Sequence, residues 1–143
     1  MEGFLERGNI KFSISKDIKA VVAILQENKN NDYPQKIFEL GPIIYLDGEK
    51  PVQRDHLSIA IAHSRSNYSE LRSVVDALFK EIGAKIKYVN SSEPVFIEGR
   101  GADIIFGRKK VGFIGEVHPQ VLNNFELKMP VTLCEIDIED LVK

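Results

Sequence analysis

The sequence predicts an α+β domain in which helices flank a mainly antiparallel sheet. Three observations support this fold class. Several segments alternate apolar and polar residues with the two-residue period of a half-buried strand. Residues 67–83 instead carry apolar residues at the three- and four-residue spacing of an amphipathic helix. Helical and strand patterns do not alternate regularly, as they would in a parallel sheet with crossover helices.

The overall composition fits one globular domain. The chain has 143 residues, of which 43% are hydrophobic and 28% charged, and its net charge of −2 does not indicate a nucleic-acid interface. A single cysteine, Cys134, excludes an internal disulfide, and its apolar strand predicts a buried thiol. Because no apolar run is long enough to cross a membrane and residues 1–9 lack a signal-peptide core, we expect a cytoplasmic protein.

The first half of the chain contains one predicted helix and three predicted strands. The strand over 37–46 is interrupted by Gly41-Pro42, which predicts a bend or bulge. Asp47-Gly48 suits a hairpin turn, and it opens a predicted loop. In order, the elements are a short strand over 10–14, a helix over 18–28 capped by Asp17, a strand over 37–46, a loop over 47–55 and a strand over 57–62.

The second half begins with the strongest helix of the chain. Asn67 is a suitable N-cap, Glu70 is its capping-box partner, and Gly83 ends the helix. The later elements are a strand over 86–89, two strands between 96 and 117, a short helix that begins at Pro119, and a strand over 131–138. Apart from the possible short strand over 10–14, the whole chain therefore has about three helices and six strands.

The two strands between 96 and 117 form a hairpin with its turn at Gly107-Arg108. Apolar residues would then face each other across the strands, which fixes the register. Gly112 and Gly115 lie inside the second strand, where glycine indicates a bulge or the close approach of another backbone. The predicted pairs are Ala102 with Phe113, Ile104 with Val111, and Phe106 with Lys109.

Polar residues within this hairpin are the candidates for chemistry. A histidine with carboxylates, such as His118 with Glu116, could serve acid–base catalysis or bind a metal. No two- or four-residue histidine spacing supports a metal site, and His118 before Pro119 is more simply a helix-entry residue. Arg100 with Asp103 is expected to be a structural ion pair. The residues expected to determine shape or an interface are Gly99, Arg100, Asp103, Gly112, Glu116, His118 and Pro119.

The hairpin and its flanking segments resemble the β subunit of phenylalanine–tRNA ligase, in particular the archaeal and eukaryotic form. The long block begins with FIEGRGADII and continues through KKVGFIGEVHP to VLNNFEL. The resemblance runs in order over 4–141, nearly the whole chain. Its segments are 96–105, 109–119 and 121–127, with an upstream block at 33–41 and a closing strand at 137–141.

The resemblance implies that residues 1–143 are a single catalytic-like module near the C-terminal end of a longer β subunit, with the class II synthetase fold. This family joins phenylalanine to its tRNA using ATP and Mg²⁺, as an (αβ)₂ heterotetramer. The α subunit holds the active site and is the implied partner of this module. The resemblance therefore implies no catalytic, cofactor-binding or metal residue in this chain, and contact with tRNA only through the holoenzyme.

Departures from the class II pattern agree with a non-catalytic role. A class II site places an arginine two residues before a strand glutamate, but Ile37 occupies that position before Glu39, with Lys36 nearby. No glycine-rich segment ending in arginine follows 131–135. A pocket without these cations has little to offset triphosphate charge.

Two other functional hypotheses remain open from the sequence. A free-standing paralogue would bind an amino acid or a protein partner, and it predicts a pocket between the sheet and the helix over 67–83. A small hydrolase would depend on His118 with Glu116. If the chain exposes an apolar patch, self-association of the isolated chain is also expected.

Overall fold

The computed structural model of the chain describes residues 2–7, 10–139 and 141. Within them lie three helices and eight strands, which the sequence predicted except for the first strand, where alternation is absent. In chain order they are β1 (Glu2–Arg7), β2 (Ile10–Ser15), α1 (Lys16–Glu27), β3 (Gln35–Asp47), β4 (Lys50–Ala62), α2 (Tyr68–Glu81), β5 (Ile86–Asn90), β6 (Phe96–Phe106), β7 (Lys109–Val117), α3 (Pro119–Asn124) and β8 (Val131–Asp137).

Six of the strands form one antiparallel sheet in the order β3-β4-β8-β7-β6-β5, and β1 pairs with β2 in a separate hairpin. The predicted α+β class with a mainly antiparallel sheet is therefore confirmed. The final strand, β8, lies near the centre of the sheet, between β4 and β7. By pairing with both β4 and β7, β8 joins the β3–β4 hairpin to strands β5 to β7.

Helices cover both faces of the sheet. Neighbouring residues of a strand point to opposite faces, so Ala60 and Leu133 pack with α1 and α3 while Ile61 and Cys134 pack with α2. Residues 131–136 of β8 are all buried, because both faces of this strand are covered. The predicted buried position of Cys134 is confirmed.

The β3–β4 hairpin is longer and more regular than predicted. Its register runs without a break from Gln35 opposite Ala62 to Asp47 opposite Lys50. Of the predicted bend or bulge at Gly41-Pro42, the bulge is therefore wrong. The loop over 47–55 is also wrong, since β4 begins at Lys50. An edge strand tolerates proline, because the missing N–H can lie on the side that faces away from the sheet.

The β6–β7 hairpin has the predicted turn but not the predicted register. Phe106 lies opposite Lys109, and Gly107 has a φ of 66° that suits the turn. Farther from the turn the prediction is wrong by one residue, because a β-bulge adds Val111 to β7. The observed partners are Ile104 with Gly112, Asp103 with Phe113, and Ala102 with Ile114.

Helix α2 begins as predicted. The side-chain oxygen of Asn67 accepts a hydrogen bond of 3.0 Å from the backbone N–H of Glu70. The carboxylate of Glu70 does not return to the cap, however, since its Oε1 lies 2.7 Å from Nε2 of His63. Gly83, with a φ of 73°, follows the helix end as expected.

Candidate functional site

Glycines of the β6–β7 hairpin allow neighbouring groups to approach closely. A Cβ atom on Gly112 would lie 2.1 Å from the carbonyl oxygen of Glu135, so β7 and β8 could not keep their spacing with a side chain there. This is the close backbone approach predicted for Gly112. At Gly115 a Cβ would lie 2.6 Å from the ring of Phe96, which itself contacts Phe113 edge to face at 5.6 Å between centroids.

The ion pair predicted between Arg100 and Asp103 is wrong. Arg100 Nη1 lies 3.0 Å from Glu116 Oε1, and Asp103 Oδ1 lies 3.2 Å from Lys110 Nζ. Two residues three positions apart on a strand point to opposite faces, so Arg100 and Asp103 cannot meet. Each finds a partner on β7 instead.

The carboxylate of Glu116 connects the hairpin to α2. Its Oε2 accepts a 3.0 Å hydrogen bond from the backbone N–H of Tyr68, in the first turn of α2, while its Oε1 binds Arg100. Both oxygens of Glu116 are therefore occupied by fixed donors. This contact orients the start of α2 against the sheet.

His118 and Pro119 form the entry to α3, as predicted. Nδ1 of His118 accepts a 3.0 Å hydrogen bond from the backbone N–H of Gln120, and Pro119 is the first residue of the helix. The backbone N–H of His118 donates to the carbonyl of Val95 at 2.8 Å, which ties the helix start to β6. Gly99 has a φ of 79° and lies where the β6–β7 register shifts.

Lys110 joins the hairpin to the preceding loop. Its Nζ lies 2.8 Å from Glu93 Oε1 and 3.2 Å from Asp103 Oδ1. Although burial alone lowers the pKa of Lys110, the hydrogen bonds to these two carboxylates raise that pKa overall. Lys110 therefore stays charged and links β7 to the loop before β6.

The sheet face that carries α1 also holds an acidic cluster. Glu135 is nearly fully buried, and its Oε1 lies 2.9 Å from Nδ1 of His56. Asp137 receives a 2.5 Å hydrogen bond from Nε of Arg54. The sequence places Glu135 and Asp137 on one face, but His56 and Arg54 join them only through the β4–β8 register. The residues that the structure describes include no group of three acidic, histidine or cysteine side chains placed to hold a metal ion.

A polar cleft of about 390 Å³ lies between the sheet and the first half of α2. It is the kind of pocket that the paralogue hypothesis predicts for this helix. Two of its residues, Arg72 and Tyr88, were missed in the sequence. The spacing could have indicated them, because Arg72 lies four residues from both Tyr68 and Asp76, and side chains four residues apart share one face of a helix. The polar and aromatic side chains that line the cleft are Tyr68, Arg72, Tyr88, Asn90, Arg100 and Glu116.

A second concavity, of about 370 Å³, lies between α2 and the β3–β4 end of the sheet, and all its lining residues except Lys36 are apolar. Leu40 lies opposite Leu57 and continues the same apolar face along β3. Here α2 covers the central strands but leaves β3 and β4 open. We define the β3–β4 apolar surface as Phe38, Leu40, Leu57, Ile59, Val74 and Leu78.

Comparison with solved structures defines the class of fold. The chain is similar to the pyrrolysyl-tRNA synthetase from Desulfitobacterium hafniense, with a TM-score of 0.72 and 15% identity over 97% of this chain and 52% of that chain. A second structure of that synthetase gives a TM-score of 0.71 at 15% identity, with the same coverage. The fold is therefore that of a class II aminoacyl-tRNA synthetase.

Sequence comparison defines the family. The family described as "Phenylalanyl tRNA synthetase beta chain CLM domain" matches residues 16–138. The chain is 42% identical over 118 residues to the phenylalanine–tRNA ligase β subunit of Archaeoglobus fulgidus, covering 82% of this chain and 21% of that protein. It is 37% identical over 122 residues to the β subunit of Methanosarcina barkeri, covering 85% and 22%.

The chain belongs to the phenylalanine–tRNA ligase β-chain family, as its sequence resemblance predicted. It spans about one fifth of the length of the curated relatives that it matches, 21% of the first of them. None of the helices that the structure describes combines the length and apolar character needed to cross a membrane.

Proposed function

We propose that this chain is an assembly module of phenylalanine–tRNA ligase that docks on the α subunit through the β3–β4 apolar surface. The α subunit would carry out the chemistry, the ATP-dependent attachment of phenylalanine to its tRNA, in a cytoplasmic (αβ)₂ heterotetramer. Membership in the β-chain family supports an α subunit as the partner. Contact with tRNA would occur only through the assembled enzyme.

The exposure of large apolar side chains on β3 is the observation that carries this proposal. Phe38 is 74% exposed, Leu40 61% and Leu46 69%, although all three lie in one regular strand. Burial of apolar area contributes about 25 cal/mol per Å², so leaving these residues in water forgoes substantial stabilisation. A contiguous apolar patch of this kind marks a protein interaction site.

The residues on the opposite face do not fit a triphosphate. Ile37, at the position of the class II arginine, packs against the core cluster that contains α1. Glu135 and Asp137 add carboxylates to the same face, and the basic groups beside them, His56 and Arg54, are already bound to these carboxylates. We therefore propose that this chain holds neither ATP nor Mg²⁺ and contributes no catalytic residue.

Co-expression of this chain with its cognate α subunit, followed by chromatography with light scattering, tests the proposal. We expect a stoichiometric complex that Phe38→Asp abolishes, because the substitution places a charge in the apolar contact. The control is Val89→Asp, which adds the same charge at an exposed position of β5, at the other end of the sheet.

If the chain is folded and monomeric but forms no complex, the assembly role is wrong. If it instead self-associates through the β3–β4 apolar surface, that surface is an interface between copies of this chain. Equal loss of the complex in both variants would place the contact elsewhere. Saturable binding of ATP to the isolated chain, measured by calorimetry, would contradict the non-catalytic assignment.

A further inference from the structure

We propose that the polar cleft beside the first half of α2 is a binding site for a small carboxylate ligand, with the guanidinium of Arg72 as the group that binds it. The cleft is lined by α2, β5, β6 and β7, whereas the β3–β4 apolar surface lies toward the other end of the sheet. The proposal goes beyond the assembly role and does not depend on it.

The guanidinium of Arg72 is held in place without using its hydrogen-bond donors. Its Cζ lies 4.2 Å from the ring centroid of Tyr88 and 5.9 Å from that of Tyr68. Its Nε is 3.8 Å from Asp76 Oδ2, which is an ion pair but too long for a hydrogen bond. In the described part of the chain, Arg72 donates no side-chain hydrogen bond, so its planar fork is available to an anion.

Tyr88 is fixed in turn by Asp76. Its hydroxyl donates a 2.6 Å hydrogen bond to Asp76 Oδ1. Burial, followed by this hydrogen bond, raises the pKa of Tyr88, so its phenol stays neutral and its ring keeps one orientation. A guanidinium stacked on an immobilised ring loses little conformational entropy when it binds a ligand.

The two arginines of the cleft differ in how far their hydrogen-bond donors are already used. Arg72 and Arg100 supply two positive charges, and Glu116 supplies one negative charge that is already bound to Arg100 and to the backbone of Tyr68. Asp76, whose Oδ2 lies 3.8 Å from Arg72 Nε, adds a second negative charge but accepts no hydrogen bond from Arg72. One guanidinium fork is therefore available to a ligand, which matches a carboxylate better than a doubly charged phosphate. The volume of about 390 Å³ lies in the range of small-molecule sites. The exposed side-chain amide of Asn90 offers a further donor at the rim.

Two sources can supply this carboxylate, a free amino acid or the C-terminus of a peptide. Nuclear magnetic resonance titration of the ¹⁵N-labelled full chain separates them, with the Nε–Hε signal of Arg72 and the amide of Gly101 as reporters. The probes are glycine, N-acetylglycine, glycinamide and inorganic phosphate. Saturable shifts with glycine alone would indicate a free amino acid, shifts with N-acetylglycine alone a peptide C-terminus, and shifts with both a site that needs only the carboxylate.

Variants decide whether Arg72 is the binding group. Arg72→Gln should abolish the shift of Gly101, and Arg72→Lys should weaken binding by about tenfold, because lysine keeps the charge but loses the planar fork. The matched control, Arg65→Gln, removes an exposed arginine outside the cleft and should leave the titration unchanged. Arg72 is exposed on α2, so all three variants should melt like the parent.

The proposal is overturned if neither carboxylate gives a saturable shift, or if glycinamide shifts the same signals equally. It is also overturned if phosphate binds more tightly than both carboxylates, or if Arg72→Gln binds them like the parent. Loss of the α-subunit complex would leave these results unchanged, so the two proposals fail separately.

Discussion

The centre of the sheet and its β3 edge have similar apolar sequences but opposite environments. Every residue from 131 to 136 of β8 is buried, because α1 and α2 cover its two faces. On β3, large apolar side chains on the α2 side remain exposed, since α2 covers the central strands and stops short of this edge. The apolar residues of a strand can therefore be buried within the chain or against a partner protein, and the sequence pattern alone does not distinguish these two cases.

Replacing a glycine in each of these two regions should give the largest difference in stability between them. Gly112→Val should cost more than about 3 kcal/mol of unfolding free energy, or prevent folding, because the backbone of Glu135 cannot move away from the new side chain. Gly41→Val on β3 meets no atom within 4 Å and should change stability by less than about 0.5 kcal/mol. Urea denaturation measures both. If Gly112→Val unfolds like the parent, the close approach of β7 and β8 is wrong.

Two leucines, one in each region, differ strongly in side-chain exposure. Leu133 on β8 is 1% exposed and Leu40 on β3 is 61% exposed. Leu133→Ala should cost about 2–5 kcal/mol, and Leu40→Ala less than about 0.5 kcal/mol, in the isolated chain. The order should reverse for affinity toward the α subunit, measured by calorimetry, where only Leu40→Ala should weaken binding. Equal destabilisation by the two variants would show that β3 is covered within the chain itself.

The buried thiol of Cys134, at the centre of the sheet, should make the stability of the chain depend on pH, with a smaller effect than the substitutions above. Burial raises the pKa of this thiol from 9.0 to about 12. The unfolded chain therefore releases this proton at a lower pH than the folded chain, and stability falls as pH rises through the window from about 9 to 12. Between pH 9 and 10 the parent should lose about 1 kcal/mol more than Cys134→Ala.

Thiol labelling with a disulfide reagent checks the same environment. At pH 8 the folded chain should not react, and addition of denaturant should expose one thiol per chain. Rapid labelling of the folded chain, or identical pH dependence in parent and Cys134→Ala, would contradict a closed centre around β8.

The sequence predicted local features better than contacts between distant segments. The Asn67 cap and the Gly107 turn depend on a few neighbouring residues, and both were confirmed. The glycines of β7 indicated a bulge or a close approach, but the predicted register left the bulge at Val111 out, because an inserted residue leaves the apolar pattern of one strand almost unchanged. The continuous β3 was missed because Gly41-Pro42 interrupts a central strand but not an edge strand, and strand order is a tertiary property.

The candidate sites were harder to predict for the same physical reason. Glu116 binds the backbone of Tyr68, which is 48 positions away in the sequence, and no spacing rule relates them. Arg100 was assigned Asp103, three positions along the same strand, whereas cross-strand geometry gave it Glu116. Exposure of the β3–β4 apolar surface depends on where α2 ends over the sheet, which the residues of β3 do not encode.

Hydroxyl-radical footprinting of this chain, alone and with its cognate α subunit, measures side-chain burial and therefore tests whether the β3–β4 apolar surface is the docking face. We expect Phe38 and Leu40 to be oxidised in the isolated chain and protected in the complex, while Tyr88 at the other end of the sheet reacts equally in both. If Phe38 is oxidised as fast in the complex as in the isolated chain, the α subunit does not dock on the β3–β4 apolar surface.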